Sequence, residues 1–276
     1  TLTLLLSSLT LGTIITLSST HWLLAWIGLE MNTLAIIPII SKQHHPRATE
    51  AATKYFLIQA TASALILFAS TLNAWKTGQW NISQLSSTES TIMLTLALAM
   101  KLGLAPLHFW LPEVLQGSTL PTAMIISTWQ KLAPISILLM TFNSLNHKTL
   151  MILGVSSALL GGWLGLNQTQ TRKIMAFSSI AHMGWLFMAL TINPNITIIF
   201  TTMYLMMTTA MFSTLIPTTS KTLLDLGTIY PQTPALTATT MLILMSLGGL
   251  PPLTGFMPKW LILKELTTDL PLMSTI

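Results

Sequence analysis

The sequence predicts an all-α bundle of about nine membrane-spanning helices, and three observations carry that prediction. Of the 276 residues, 51% are hydrophobic and only 7% charged, with a mean hydropathy of +0.69. A soluble domain carries about 25% charged residues, so this chain cannot solvate its own surface and lipid must be its solvent. Apolar runs of about 20 residues recur, the length a helix needs to cross the hydrocarbon core. Between the runs stand clusters of Gly, Pro, Ser and His, the punctuation expected of loops.

The passes are placed near 2–18, 21–40, 54–75, 91–111, 119–141, 149–166, 173–192, 196–216 and 236–264. Ser41–Thr53 with His44-His45-Pro46, Thr77–Ser90, and Asn193-Pro194-Asn195 read as connections. The link between the first two passes is very short, so they form a hairpin. Even-numbered loops carry Lys42, Arg47, Lys54, Arg172, Lys173 and Lys221, whereas odd-numbered loops carry only Lys76 and Lys148. The positive-inside rule then puts the N-terminus and the basic face in the cytoplasm, or in the matrix of a mitochondrion. Trp22, Trp75, Trp80, Trp110, Trp163 and Trp260 lie near pass ends and are expected to be interfacial anchors.

With no cysteine, disulfides, thiolate metal sites and cysteine-ligated iron–sulfur clusters are excluded. The surplus of 12 Lys+Arg over 7 Asp+Glu is expected to serve membrane orientation rather than nucleic acid. The stretch Leu2–Leu17 has no basic region ahead of it, so a cleaved secretory signal is not expected. Pro271-Leu272-Met273 opens another apolar run just before Ile276, which reads as a fragment of a longer protein. The sequons at Asn81, Asn167 and Asn195 read as chance matches in a Ser- and Thr-rich chain.

Three ionisable residues fall near the centre of a pass: Glu30, Lys101 and Lys131. Each costs about 2.5–3.5 kcal/mol on insertion scales, so such residues mark ion paths, proton relays or pairs. A Glu30–Lys101 pair that forms and breaks would switch the proton affinity of both partners. A static pair pinning two helices is the alternative. Lys131 has no obvious acid left to neutralise it, which favours the switch. Pro38, Pro106 and Pro134 lie close to these charges, and proline frees a backbone carbonyl that only protein or water can satisfy within a bilayer. His182 and His108 are the histidines deep in a pass. For His182 a packing residue and a proton relay both stay open, and none of the histidines has metal-ligand spacing.

One self-similarity stands out. Gly103-Leu104-Ala105-Pro106-Leu107-His108-Phe109-Trp110-Leu111-Pro112-Glu113 lies over Gly249-Leu250-Pro251-Pro252-Leu253-Thr254-Gly255-Phe256-Met257-Pro258-Lys259 at a constant offset of 146 residues. Two Gly/Pro-interrupted passes in corresponding halves are a pointer to a transporter's ion path. The copies fall in the fourth and ninth passes. That odd shift turns the second copy upside down in the membrane.

Taken together, Gly28-Leu29-Glu30-Met31-Asn32, Lys101-Leu102-Gly103, the run Pro106 to Glu113, Trp129-Gln130-Lys131-Leu132-Ala133-Pro134 and Gly248-Gly249-Leu250-Pro251-Pro252-Leu253-Thr254-Gly255-Phe256 carry a resemblance. Gly165-Leu166-Asn167-Gln168-Thr169-Gln170 and Ser178-Ser179-Ile180-Ala181-His182 agree with it. Over nearly its whole length the chain resembles the mitochondrial NADH–ubiquinone oxidoreductase chain 2 family, antiporter-like subunits of the membrane arm of respiratory complex I. The resemblance implies an all-α polytopic bundle of inverted five-helix repeats with two interrupted helices. It makes 1–276 a single antiporter-like domain, with a first repeat at about 1–141 and a second, incomplete one at about 149–276. It implies a proton-translocating subunit of an NADH:ubiquinone reductase in the mitochondrial inner membrane, with its N-terminus on the matrix side. Glu30 and Lys101 match the switch pair, Lys131 the central lysine, Lys259 the lysine of the second interrupted helix and His182 the polar axis between them. Pro106, Pro134, Gly248, Gly249, Pro251 and Pro252 are the expected helix-breaking residues. No cofactor is expected on this chain, with NAD, FMN, iron–sulfur clusters and ubiquinone on other subunits. Expected partners are the other membrane-arm subunits, especially the neighbouring antiporter-like one, and lipid, cardiolipin included. The family continues for further helices beyond Ile276. A sodium/proton antiporter subunit and a scaffold with inert charges are the competing readings.

Overall fold

The computed structural model describes residues 2–41 and 45–269. Lys42, His44 and the run at Pro271 lie outside them. All regular structure among the described residues is helical: α1 (Leu2–Ser18), α2 (Trp22–Ser41), α3 (Pro46–Thr77), α4 (Thr88–Leu102), α5 (Trp110–Gly117), α6 (Leu120–Ser127), α7 (Trp129–Met140), a single 3-10 turn (Phe142–Ser144), α8 (His147–Leu166), α9 (Thr171–Ile192), α10 (Pro194–Thr218), α11 (Leu223–Ile229), α12 (Pro234–Gly248) and α13 (Phe256–Asp269). By length and composition six spans suffice to cross a membrane: α2, α3, the α6–α7 stretch, α8, α9 and α10. The other predicted passes fall short because α1 is only 17 residues long and because the fourth and ninth passes are each cut in two. The chain divides into two compact units, one up to Leu153 and one from Gly154.

In the first unit α1 and α2 form the expected hairpin, and glycine sets how closely they pack. A Cβ on Gly12 would stand 2.9 Å from the Gly28 carbonyl, and one on Gly28 would stand 2.8 Å from the Gly12 carbonyl. Small residues are what lets spanning helices approach this closely. The third helix starts at Pro46, not near 54, because Pro46 takes the first helical turn and the His45 ring accepts the Arg47 N–H at 3.2 Å. At 32 residues it is about 48 Å long, more than the hydrocarbon requires. Its first turns therefore carry charge: Lys54 lies within α3, paired with Glu50 at 2.5 Å and with Glu113 of α5 at 2.6 Å.

The fourth pass is interrupted as predicted. Helix α4 stops at Gly103, whose φ of +76° is left-handed and open to glycine at little cost. Its N–H reaches back to the Ala99 and Met100 carbonyls, the helix-ending arrangement expected of an αL glycine. Residues 103–109 then cross the gap, through a cis peptide before Pro106, to α5. The fifth pass is also divided, but not at the expected residue. Pro134 sits inside α7, removing one bond to the Gln130 carbonyl. The joint falls ahead of it, at Thr128 (φ −113°, ψ −72°), where the Thr128 N–H and hydroxyl both donate to the Met124 carbonyl at 3.0 and 2.6 Å.

The second unit uses the same devices. Gly154 of α8 and Gly184 of α9 approach reciprocally, with Cβ positions 3.0 and 2.7 Å from each other's carbonyls. Helix α12 ends at Gly249 (φ +85°), whose N–H reaches the Met245 and Ser246 carbonyls. A third parallel joins the loops. In the first unit Trp22 N–H donates to the Trp80 carbonyl at 3.1 Å and Ile82 N–H to the Thr20 carbonyl at 3.0 Å. In the second, Thr171 N–H donates to the Lys221 carbonyl at 3.1 Å and Leu223 N–H to the Thr169 carbonyl at 3.0 Å. The loop before the second helix thus bonds the loop before the broken helix in both. The short helix α11 follows that loop only in the second unit.

Two expected interfacial anchors are not at an interface. Trp22 and Trp110 are buried, at 1% and 4% exposure, while Trp75 and Trp163 stand at 90% and 79%. Both buried indoles lie at helix starts but on faces packed against neighbouring helices, where proximity to a pass end does not bring exposure.

Candidate functional site

In the first unit the acid and the lysines are arranged around α3. This helix presents Tyr55, Gln59 and Ser63 at four-residue spacing, hence on one face, and all three are buried. Ser63 Oγ donates to Glu30 Oε1 at 2.5 Å, and Thr33 Oγ1 donates to Glu30 Oε2 at 2.7 Å. Both carboxylate oxygens thus rest on hydroxyls. Glu30 has no ion-pair partner among the described residues, unlike Glu50 and Glu113, which pair with Lys54, and Glu89, which pairs with Lys76. Lys101, from the last turn of α4, is 6% exposed, and its Nζ has no hydrogen-bond partner among the described residues. The expected partners are present, but the bond between them is not made.

Lys101 shares a small cavity with Lys131 of α7, which is 3% exposed. Tyr55, Gln59, Trp110, Ile126 and Gln130 complete its lining. The space open to the centre of a water molecule is about 10 Å³, near the lower limit for holding one water. Side chains fix its walls. Gln59 Nε2 donates to the Lys101 carbonyl at 3.4 Å, Trp110 Nε1 to the Met100 carbonyl at 3.1 Å, and Gln130 Nε2 to the Asn32 carbonyl at 3.2 Å. The Trp110 ring meets Tyr55 edge-on at 5.8 Å between centroids. Carbonyls freed at the end of α4 are therefore satisfied by neutral N–H donors, as burial requires.

The second unit holds His182 and Lys259. His182 is 3% exposed in α9. Its Nδ1 lies 2.6 Å from the Ser178 carbonyl, which can only accept, so Nδ1 carries the hydrogen and Nε2 is the basic nitrogen of the neutral ring. The aromatic rings of Tyr204 and Phe200 stand beside it, at 5.6 and 6.1 Å. Lys259 is half-buried in the first turn of α13, and its Nζ folds back to the Leu247 and Gly248 carbonyls at 3.3 and 3.4 Å. An ammonium is placed there on the negative end of α12. Gly248, Gly249, Pro251 and Pro252 lie at this second break and Pro106 in the first. His108 is buried within the first interruption.

The sequence reading missed Ser63, Thr33, Gln59 and Gln130. The signal for two of them was available: polar side chains at four-residue spacing along the third pass, one of them opposite a mid-membrane acid.

The transmembrane family described as NADH:quinone oxidoreductase/Mrp antiporter matches residues 19–274. A relative called NADH-ubiquinone oxidoreductase chain 2, from Oncorhynchus mykiss, is 58% identical over 276 residues, covering 100% of this chain and 79% of the relative. The protein of that name from Gallus gallus is 61% identical over 260 residues, covering 94% of this chain and 75% of the relative. A chain of respiratory complex I from Thermus thermophilus with bound aureothin superposes with a TM-score of 0.89 at 29% identity. The match covers 98% of this chain but only 64% of that one. A chain of the Mrp complex from Dietzia sp. DQ12-45-1b shares the fold, with a TM-score of 0.81 at 18% identity, over 96% of this chain and 54% of that one. The chain belongs to the NADH:quinone oxidoreductase/Mrp antiporter membrane family, among relatives called NADH-ubiquinone oxidoreductase chain 2.

Proposed function

We propose that the chain is a proton-translocating core subunit of the membrane arm of respiratory complex I, coupling electron transfer from NADH to ubiquinone to proton pumping. The observation that carries this reading is the cavity: two buried lysines, Lys101 and Lys131, face one water-sized space beside a carboxylate held on hydroxyls. An unpaired ammonium at such depth costs about 2.5–3.5 kcal/mol. A proton arriving on Lys101 therefore either draws Glu30 off Ser63 and Thr33 or moves through the cavity to Lys131. Glu30 and Lys101 act as the switch and Lys131 as the relay. His182 passes the proton through Nε2 while its Nδ1–H stays on the Ser178 carbonyl, and Lys259 ends the path on the carbonyls of α12.

In this reading the chain is one antiporter-like domain whose repeats, about 1–141 and 149–276, are inverted in the mitochondrial inner membrane with the N-terminus toward the matrix. NAD, FMN, iron–sulfur clusters and ubiquinone belong to other subunits. The partners are the other membrane-arm subunits, above all the neighbouring antiporter-like one, with cardiolipin among the surrounding lipids.

Lys131→Met and Glu30→Gln in the assembled complex test the proposal, with NADH oxidation and proton uptake read together in sealed membrane vesicles. Each variant is expected to lower both rates by about tenfold or more, the effect of ~1.4 kcal/mol on a rate. Wild-type pumping in Lys131→Met would leave the charges as scaffold. Sodium transport without quinone-linked NADH oxidation would make the chain an antiporter subunit instead.

A further inference from the structure

Gln59 has no part in the proton path proposed above, yet it lines the space that the path's lysines share. It is 4% exposed, lines the same cavity as Lys101 and Lys131 and sits one helical turn from the Ser63 that holds Glu30. Its Nε2 is engaged by the Lys101 carbonyl. The amide's orientation is thereby set, and Oε1 is left as its acceptor. The lining holds a second neutral amide, Gln130, fixed in the same manner on the Asn32 carbonyl. Among the described residues the lining contains two lysines and two amides and no carboxylate.

We infer that Gln59 serves the proton path by being neutral: it keeps fixed negative charge out of the space that the two lysines share. The inference rests on the reading of Lys101 and Lys131 as proton carriers. An amide can accept from an ammonium or a water without favouring one charge state strongly. A carboxylate of the same size would favour the charged form of either lysine through a hydrogen bond about twice as strong. Both lysines would then keep their protons. The acid of the switch is admissible because Glu30 stands outside the cavity lining and both its oxygens are held by hydroxyls, one of them Ser63 a helical turn beyond Gln59.

The test compares Gln59→Glu with Gln59→Met and Lys131→Met in the assembled complex, in sealed vesicles, with the assembled amount measured for each. Gln59→Glu is nearly isosteric but, like Gln59→Met, loses the N–H donated to the Lys101 carbonyl, so a packing or capping role alone predicts similar losses in the two. The inference predicts that it lowers proton uptake and coupled NADH oxidation at least about tenfold, as one pKa unit of lysine trapping would, while neutral Gln59→Met keeps half or more. Wild-type transport in Gln59→Glu, or equal losses in Gln59→Glu and Gln59→Met, would overturn it. If Gln59→Glu does not assemble, Gln130→Glu carries the same prediction from within the same lining, and wild-type transport there would overturn it equally. Lys131→Met separates the two levels. Loss there with wild-type transport in Gln59→Glu rejects the role of Gln59 alone, whereas wild-type transport in Lys131→Met rejects the underlying proton path.

Discussion

The two interrupted helices share a backbone and differ in wiring. Each ends on a left-handed glycine, Gly103 or Gly249, whose N–H returns to the carbonyls one turn back. At the first break the exposed helix end is capped by neutral donors, the Trp110 indole on the Met100 carbonyl and the Gln59 amide on the Lys101 carbonyl. The lysine is thereby released from capping and lines a cavity. At the second break the lysine is itself the cap, with Lys259 Nζ on the Leu247 and Gly248 carbonyls. The position of Lys101 in the first copy is taken by Leu247 in the second, and the position of Lys259 is taken in the first by Glu113, which pairs with Lys54. One local fold thus presents a cation from either side of its gap, and the difference lies in who satisfies the carbonyls.

The largest expected effect breaks this comparison directly. Trp110→Phe removes the indole N–H but no charge, leaving the Met100 carbonyl with the Gly103 N–H and losing one hydrogen bond, at a cost of about 0.5–1.5 kcal/mol. Thermal unfolding of the purified complex should show that loss, while proton uptake per assembled complex stays near wild type. Lys259→Met removes cap and charge together, so stability and transport should fall in one variant, with transport down by about tenfold or more. If Trp110→Phe abolishes transport in fully assembled complex, capping and carriage are not separable at the first break and the contrast fails.

A smaller contrast uses the glycines. Ala at either site must adopt φ near +80°, which costs roughly 1–2 kcal/mol. A Cβ on Gly103 would only touch Leu111 at 3.4 Å, whereas one on Gly249 would stand 2.9 Å from Lys259 Nζ. Both variants should lose similar stability. Gly249→Ala should also displace the lysine and lower proton uptake several-fold more than Gly103→Ala, on the scale of another ~1 kcal/mol. Equal transport in the two would show that the seat of Lys259 does not matter to its task.

Hydropathy made the depth of Lys101 and Lys131 legible, because a charge inside a long apolar run has nowhere else to be. The breaks at Gly103 and Gly249 were legible because they repeat. What stayed hidden came from tertiary neighbours. The partner of Glu30 is Ser63, a hydroxyl on another helix 33 residues away, and serine in a spanning helix is too common to single out. Trp110 reads as an interfacial anchor until the gap ahead of it folds its indole onto Met100. Pro134 drew the predicted break to itself, while the observed joint at Thr128 has neither Gly nor Pro to announce it.

The smallest effect concerns the loop pairing that both units share. In the second unit Asp225 Oδ2 accepts the Lys221 and Thr222 N–H groups at 3.0 and 2.8 Å, and the Thr222 hydroxyl accepts the Asp225 N–H at 3.3 Å. These bonds, first those from the Thr222 and Lys221 backbone, hold the carboxyl below the usual carboxylate range. Its contribution is therefore fully present above the unfolded value, about pH 3.9, and is lost as pH falls through the lower folded one. The matching bonds of the first unit, Trp22 to Trp80 and Ile82 to Thr20, join backbone to backbone and engage no carboxylate. Amide exchange read by mass spectrometry, corrected for its intrinsic pH dependence, should show Thr171 and Leu223 losing protection on acidification below that range while Trp22 and Ile82 keep theirs. Asp225→Ala should show the same loss already at neutral pH. Unchanged protection of Leu223 in that variant would mean that the backbone pairing, and not the capping box of α11, holds the loop in both units alike.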